Sequence, residues 1–388
     1  MYGFVPSAGA VLADWGADVI KVEHAVNGDP QRGLRQTGTM RVEGDPNPNI
    51  EHANRGKRSL GLDMSRPEGK EVLLDLARRS DVFLTSFLPE SRRKLGIDVA
   101  DLREVNPRII YARGSALGPR GAEAGKGGYD MTAFWARAAT AASITPAGVP
   151  GMINPPAPAY GDTISGTNLA GGIAAALLKR ERTGEPSVVD VSLLGSGLWA
   201  MGQAIAVSLH LDRPWQAPAL GAHGSPANPL SGLYRTADDR HLCFVMLQPA
   251  RFWSDVCRHL GRPEWADDPR FATADQLALN TAEAVKMLRE VIATRTLADW
   301  SERFATLAGP WAPVQDTLQA GDDGQVRANE YLRQAGELRL VASPVQFDVR
   351  APELGPAPEF AAQTEEVLLE LGLDWERIMA LKAAGAVT

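Results

Sequence analysis

Residues 5 to 110 alternate between helical and strand-like hydrophobic patterns, and this alternation constrains the fold more than any other feature of the chain. The spacing of apolar residues predicts helices in PSAGAVLADWGA and EGKEVLLDLARRS, and short apolar runs predict strands in DVIKVE, SLGLDM, DVFLTSF and RIIYARGSA. Strands joined through helices in this order form right-handed crossovers and a parallel sheet covered by helices. The sequence therefore predicts an α/β fold.

Ligands of such sheets bind beyond the carboxyl ends of the strands, so the loops after Val22, Phe87 and Ala112 are the expected binding loops. They read EHAVNGDPQRG, FLPESRRK and GSALGPRGAEAGKGGYD, rich in cations, glycine or both. Cations that recur at these strand ends are Lys21, Arg32, Lys57, Arg58, Arg92, Arg93 and Lys94. Each is compatible with ordinary solvated surface, but as a set on one edge of the sheet they would form a phosphate pocket.

A Pro/Gly/Ala-rich passage near residues 212–228 predicts a linker between two domains. Beyond it, SGLYRTADDRHLCFVML predicts a hairpin that turns at Asp238 and Asp239, followed by amphipathic helices. We therefore predict a large domain over 1–211, completed by 331–388 and its helix AQTEEVLLELG, and a smaller α+β domain over 212–330.

Composition excludes several classes of function. The formal net charge is -7 and charged residues make up 22% of the chain, so no basic surface indicates nucleic acid or an anionic membrane. The two cysteines, Cys243 and Cys257, are too few for a disulfide framework or a structural zinc site. The apolar runs around 169–178 and 198–209 are too short to span a bilayer, and the first residues lack a basic signal-peptide region. We expect a cytoplasmic protein.

Familiar catalytic motifs do not occur in the sequence. The glycine fingerprint of dinucleotide enzymes, the HExxH metal spacing and the GxSxG elbow of hydrolases are all missing. The stretch AYGDTISGTNLAGGIAAALLKRERTG instead places a single acid, Asp162, at the start of a predicted helix that ends at Gly184. Asp162 could simply cap that helix. Its many small neighbours, however, would let a ligand come close: Gly161, Ser165, Gly166, Gly171 and Gly172.

Several longer stretches together resemble the class III CoA-transferases and the related alpha-methylacyl-CoA racemases. They are GADVIKVEHAVNGDPQR, NRGKRSLGLDMSRPEGKEVLLDLARRSDVFLTSF, NPRIIYARGSALGPRG, GGYDMTAF, RTGEPSVVDVSLL, DDPRFAT, ATRTLADW and TEEVLLELGLDWERIMALKAAG. The resemblance runs almost end to end. It implies an interlocked homodimer whose large domain is Rossmann-like, coenzyme A as part of the substrate, and no metal.

The resemblance also implies roles for individual residues. Asp162 falls on the catalytic carboxylate, which in the transferases attacks the donor thioester and becomes an aspartyl-CoA thioester. In the racemases, a His-Asp pair and a second acid act with it; here those positions are Tyr129, Asp130 and Gln248. A phenol and an amide are poor acid–base groups near neutral pH, which favours the transferase branch. Tyr129 is equally compatible with a packing role.

Segments that line the CoA pocket in the family correspond here to Lys21, Arg32, Asn54, Lys57, Arg58, Phe87 and Lys94. Arg92 and Arg93 could be helix-surface charges only.

Two features depart from the family: a first strand ahead of the Pro6 turn is missing or belongs to a longer natural start, and the shielding glycine loop is represented only by LGAHGSPANP.

We therefore predict a CoA-transferase acting between carboxylic acids, with Asp162 as nucleophile. The alternatives are a racemase that uses Asp162 with Asp130, and a non-catalytic CoA-binding dimer. The passages WARAATAASI and PAGVPGMINPPAPAYG are apolar and indicate a bulky or hydrophobic acyl group rather than oxalate or formate.

Overall fold

The computed structural model of the chain describes residues 3–219 and 228–388. It divides into two compact units, a larger one built from 1–145, 151–215 and 324–388, and a smaller one built from 146–150 and 216–323. Most of the loop LGAHGSPANP lies outside the described residues.

In chain order the strands are β1 (Ile20–Glu23), β2 (Gln36–Thr37), β3 (Met40–Arg41), β4 (Arg58–Gly61), β5 (Val82–Thr85), β6 (Ile110–Ser115), β7 (Val188–Ser192), β8 (Ser231–Arg235), β9 (His241–Val245), β10 (Trp311–Pro313), β11 (Leu332–Ala335) and β12 (Leu338–Val341).

Helices account for most of the remaining regular structure. In chain order they are α1 (Phe4–Asp14), α2 (Pro48–Asn54), α3 (Pro67–Arg79), α4 (Pro89–Leu95), α5 (Val99–Val105), α6 (Thr140–Ile144), α7 (Tyr160–Thr183), α8 (Leu193–Ala200), α9 (Gly202–Leu211), α10 (Pro249–His259), α11 (Ala274–Leu279), α12 (Thr281–Ile292), α13 (Leu297–Arg303), α14 (Thr317–Gly321), α15 (Gly324–Ala328), α16 (Thr364–Glu370) and α17 (Trp375–Ala383). Shorter 3₁₀ turns cover Pro30–Gly33, Pro263–Ala266 and Phe304–Thr306, and a π-helix covers Met131–Arg137.

The parallel strands of the larger unit form two sheets rather than one. β1 pairs with β4, and β6 lies between β5 and β7, all in parallel register. Side chains of both sheets nevertheless share one core, in which Leu60 of β4 and Tyr111 of β6 pack with α3, α16 and α17. The predicted α/β class is confirmed, but the single continuous sheet is not formed, because β1 and β5 do not pair with each other among the described residues.

A second core of the larger unit packs α1 and α7 against the other face of β5, β6 and β7. Small residues allow the two helices to approach closely, since a Cβ at Gly166 would lie 2.7 Å from Ser7 Cβ. At its far end α7 is fixed by the buried Arg180, whose Nη2 donates to Asp81 Oδ1 at 2.6 Å. The helix ends at Gly184, which adopts a positive φ of 75°.

The smaller unit has a three-stranded antiparallel sheet in the order β10-β9-β8. β8 and β9 form the hairpin expected from the sequence, and Asp239 in its turn has a φ of 64°. Its core contains Tyr234 and Phe244 from the sheet, and Trp253 and Trp300 from α10 and α13. The periodic apolar spacing of this region therefore predicts the elements correctly.

Candidate active site

A cavity of about 780 Å³ lies in the larger unit at the carboxyl ends of β5, β6 and β7. Its lining comes from the start of α1, the loops after β5 and β6, and the starts of α7 and α8: Phe4, Val5, Ser86, Phe87, Leu88, Pro89, Arg92, Arg93, Asp98, Arg113, Gly114, Ser115, Ala116, Gly118, Pro119, Ala124, Gly127, Gly128, Tyr129, Thr132, Asp162, Asp190 and Leu193. This is the edge of the sheet at which α/β proteins bind ligands.

Asp162 is the third residue of α7 and faces this cavity while remaining only 9% exposed. Its carboxylate receives no hydrogen bond from residues 3–219 or 228–388. Space for it exists because residue 3 is glycine: a Cβ there would lie 2.7 Å from Asp162 Oδ2. The carboxylate is therefore packed against the backbone of Gly3 and faces the cavity.

The start of α7 is capped by Asp130 rather than by Asp162. The residue before the helix, Ala159, has no capping side chain and adopts a φ of 53°. Asp130 Oδ2 instead accepts the backbone N–H of Gly161 at 3.1 Å, although it lies thirty-one positions upstream. The capping role that the sequence suggested for Asp162 thus belongs to Asp130.

The pKa values of both carboxyl groups are raised. Burial raises the pKa of Asp162 to about 7, and the negative charge of Asp130 adds to the rise. Burial also raises the pKa of Asp130, against the lowering effect of the N–H groups at the start of α7. A carboxyl group with a pKa near 7 can act at neutral pH either as a nucleophile in its ionised form or as a proton donor and acceptor.

The cavity lining also contains the arginines Arg92, Arg93 and Arg113. Arg92 is held in place by Phe87 O, which accepts from its Nη1 at 2.8 Å, and by Asp98, whose Oδ1 lies 3.3 Å from its Nε. Arg93, its neighbour on α4, is exposed to solvent and also lines the cavity. Guanidinium groups can bind phosphate oxygens through paired, charge-assisted hydrogen bonds.

The chain matches the model of a protein family described as CoA-transferase family III over residues 1–364. The chain belongs to CoA-transferase family III. It is similar to an (R)-2-hydroxy-4-methylpentanoate CoA-transferase of Clostridioides difficile, with 29% identity over 98% of this chain and 95% of the relative. It is also similar to a probable fatty acyl-CoA transferase, Rv3272, of Mycobacterium tuberculosis, with 33% identity over 91% of each chain.

A solved CaiB/BaiF family structure from Brucella suis shares the fold of this family III chain, with a TM-score of 0.80 and 24% identity over 95% of this chain and 96% of the other. Members of the family described as CoA-transferases use CoA thioesters as substrates. Among the described residues, no cluster of three or more His, Cys, Asp or Glu side chains could hold a metal ion. A search of the same residues found no helix long and apolar enough to cross a membrane.

Three of the residues that the family resemblance singled out meet in the cavity: Asp162, Tyr129 and Phe87. Asp130 is not part of the lining, and it accepts the backbone N–H of Gly161, the residue before Asp162. Tyr129 is 64% exposed, and its backbone N–H donates to Thr132 Oγ1 at 3.0 Å. Lys94 is exposed on α4 and is not part of the lining. Gln248 lies in the smaller unit, where it precedes α10.

The remaining predicted CoA ligands of this family III chain lie around β1 and β4 and contact protein groups. Lys21 Nζ pairs with Asp29 at 2.6 Å and also donates to Asn54 Oδ1 at 2.9 Å. The buried Lys57 Nζ donates to the carbonyls of Pro6 and Ala53, each at 2.8 Å, and burial holds its pKa well below the usual range.

Arg32 and Arg58, the other two predicted cations, are likewise engaged. Arg32 forms an ion pair with Glu23 at 2.6 Å, and Arg58 pairs with Glu366 and Glu370 at 3.0 and 2.9 Å. None of these residues lines the cavity. Their assignment to CoA stays a prediction.

Sequence reasoning missed one pair in the cavity. Arg113 of β6 and Asp190 of β7 face each other across the parallel register and form an ion pair. Each is the single charged residue of an otherwise apolar or small strand segment, YARGS and VVDVS. That isolation was a usable signal, because opposite charges on two neighbouring parallel strands can pair with each other or with a ligand at the strand ends.

Proposed function

We propose that this chain transfers CoA from an acyl-CoA to a free carboxylic acid, with Asp162 as the nucleophile. The observation that carries the proposal is the position of Asp162: a buried carboxylate, without a hydrogen-bond partner in the described part of the chain, facing a cavity in a family III protein. A carboxylate nucleophile requires access to its lone pairs, and a pKa of about 7 keeps a substantial ionised fraction at neutral pH.

The steps balance without any further reactant. An Asp162 oxygen attacks the thioester carbonyl, the C–S bond breaks, and the CoA thiolate leaves behind an acyl anhydride on Asp162. The thiolate then attacks the Asp162 carbonyl carbon, releasing the first acid and forming an aspartyl-CoA thioester. The second acid attacks this thioester to give a new anhydride and thiolate. Attack of that thiolate on the new acyl carbon restores Asp162 and yields the new acyl-CoA.

The arginines of the lining support an orientation for CoA. The phosphorylated nucleotide end would lie near Phe87, Arg92 and Arg93, and the thiol end at Asp162. Arginine binds phosphate oxygens with paired, charge-assisted hydrogen bonds, and an aromatic ring offers a stacking surface for adenine. Lys21, Arg32, Asn54, Lys57, Arg58 and Lys94 remain the alternative ligands that the resemblance implies.

We further propose that the protein acts as a homodimer, interlocked as the resemblance implies. None of the residues of α9 is buried, although its sequence GQAIAVSLHL is largely apolar, and Trp199 just before it is 83% exposed. An apolar helix without a buried face requires a partner, and a second copy of the chain is the simplest one. Sedimentation analysis should give twice the chain mass, and Leu209→Glu should lower it; a monomeric wild-type protein would contradict this proposal.

The decisive experiment is an incubation in heavy water with a panel of acyl-CoAs and free acids, followed by mass spectrometry of every CoA ester. We expect CoA esters of the added acids and no deuterium at the alpha carbon. Deuterium without any new ester would indicate the racemase alternative with Asp162 and Asp130 as proton-transfer groups. Binding with neither product would indicate a CoA-binding protein.

A second measurement addresses the covalent step directly. Mixed with acyl-CoA alone, the protein should gain the mass of CoA less one water, and peptide mapping should place that mass on Asp162. The Asp162→Asn protein, which keeps the shape of the side chain, should bind acyl-CoA without gaining this mass. Full transfer activity in Asp162→Asn would refute the nucleophile assignment.

A further inference from the structure

One buried hydroxyl of α7 takes part in no hydrogen bond within the described part of the chain. It belongs to Ser165, a completely buried residue. Other hydroxyls of the same helix donate to the carbonyl four positions earlier: Thr163 Oγ1 to Ala159 O at 2.9 Å, and Thr167 Oγ1 to Thr163 O at 3.2 Å. A buried hydroxyl without a partner lowers stability, so its presence requires an explanation.

Ser165 follows Asp162 by one helical turn. Residues three apart are neighbours on one face of a helix, with Cβ atoms about 5–6 Å apart, and helical side chains tilt toward the N-terminus. The Ser165 hydroxyl is therefore directed to the turn that contains Asp162, and rotation about one side-chain bond brings it within reach of the carboxyl. A hydroxyl without an acceptor thus lies beside a carboxyl that accepts no hydrogen bond from the described residues.

The first turn of α1 covers this face of α7. A Cβ at Gly3 would lie 2.7 Å from Asp162 Oδ2. One turn along α7, a Cβ at Gly166 would lie 2.9 Å from Phe4 O. Ser7 on α1 is already engaged, because its Oγ donates to Gly3 O at 2.6 Å. Packing this close leaves little room for water, and a hydrogen bond made in such surroundings is stronger than one made in solvent.

Two steps of the proposed reaction require a hydrogen-bond donor at Asp162. The CoA thiolate attacks the Asp162 carbonyl carbon of the anhydride, and the second acid attacks the same carbon of the aspartyl-CoA thioester. Each attack places negative charge on the Asp162 oxygen that stays bound to this carbon. A donor directed at that oxygen stabilises the charge and lowers the barrier of both steps.

We propose that Ser165 is a catalytic residue whose hydroxyl donates a hydrogen bond to the Asp162 carbonyl oxygen in these two tetrahedral states. The inference rests on the proposed function, since it requires an acyl group on Asp162. Ser165 keeps its proton throughout, so the balance of atoms and charge in each step is unchanged. Because the hydroxyl is unpaired in the free protein, it meets the developing charge without first breaking another hydrogen bond.

The test measures two rates by mass spectrometry. One is the rate at which acyl-CoA alone adds the mass of CoA less one water to the protein, and the other is the rate at which an added acid removes it. Ser165→Ala should slow both about 100-fold, the effect of losing one donor to an oxyanion, and should leave the Kd of free CoA unchanged.

Two conservative variants and a control complete the series. Ser165→Thr keeps the hydroxyl and should recover most of the lost rate, whereas Ser165→Cys, close to serine in size but a weak donor, should fall between Ala and wild type. Thr167→Val removes a hydroxyl of the same helix that bonds to backbone, and should leave both rates as in wild type. Ser165→Ala should unfold at no lower temperature than wild type, because it removes an unpaired buried polar atom.

Each outcome decides the matter. Wild-type rates in Ser165→Ala would overturn the inference while the proposed function stands. Slower rates accompanied by weaker CoA binding and a lower unfolding temperature would also overturn it, because the hydroxyl would then serve packing. Absence of the CoA mass from the wild-type protein would refute the proposed function, and the role of Ser165 with it.

Discussion

Replacing Asp130 by Asn should move the pH dependence of the reaction toward acid. Asn keeps an oxygen that can accept the Gly161 N–H, so the cap of α7 is preserved, but the negative charge of the side chain is lost. Asp162 has a pKa of about 7 instead of 3.8, with burial as the larger cause and Asp130 as the smaller one. Removing the smaller cause of a rise of about three pH units should lower the pKa to about 6.

The assay is kcat/KM for CoA transfer between pH 5 and 9, which reports ionisation in the free enzyme. At pH 6 a carboxyl with a pKa of about 7 is roughly one-tenth ionised, and one with a pKa of about 6 is half ionised. Asp130→Asn should thus be about fivefold faster than wild type at pH 6 and nearly equal at pH 8. Asp75→Asn, a like change on the outside of α3, should leave the midpoint where it is. An unmoved or more alkaline midpoint in Asp130→Asn would refute the reasoning.

Three further predictions concern stability and binding. Asp162→Asn should be more stable than wild type at pH 8 by up to about 4 kcal/mol in urea unfolding. The sign follows because the pKa of Asp162 in the folded protein, about 7, exceeds its unfolded value of 3.8. The wild-type protein therefore loses stability as pH rises from 4 through 7. The difference in free energy of unfolding between Asp162→Asn and wild type becomes small toward pH 4. Gly166→Ala should destabilise the protein by ~1–3 kcal/mol through overpacking against α1. Gly171→Ala in the same helix meets nothing within 4 Å and should stabilise it by up to ~1 kcal/mol; equal effects of the two would contradict the packing described. Arg93→Gln should raise KM for acyl-CoA about tenfold at unchanged kcat, whereas Arg78→Gln on α3 should alter neither.

Local patterns were sufficient to predict the kind of each element in the first part of the chain. The apolar period of DVIKVE or EGKEVLLDLARRS depends only on neighbouring residues, and β1 and α3 form there. The division of the parallel strands into two sheets could not be predicted from local patterns. Strand pairing depends on which distant segments meet, and a strand pattern carries no information about its neighbour.

The position of Asp162 at a helix start was predictable from the sequence, whereas the groups around it were less so. Asp162 stood out as the lone acid of a small-residue helix start. That Asp130 caps this helix was not visible, because a cap supplied from thirty-one positions upstream leaves no local motif. The direction of side chains could not be predicted either. Lys57 was expected at a strand-end loop, but its Nζ is buried between α1 and α2.

The two fixed ends of α7 have a consequence for how this enzyme could change during evolution. Asp130 holds the start of the helix, and Arg180 ties its other end to Asp81 before β5. A straight helix carries displacement along its axis, and Arg180 lies about 27 Å from Asp162 at 1.5 Å per residue. We therefore expect substitutions around Asp81, far from the cavity, to alter the position of the Asp162 carboxylate. With Asp162 as the proposed nucleophile, they would change catalytic rate while the residues that line the cavity stay as they are.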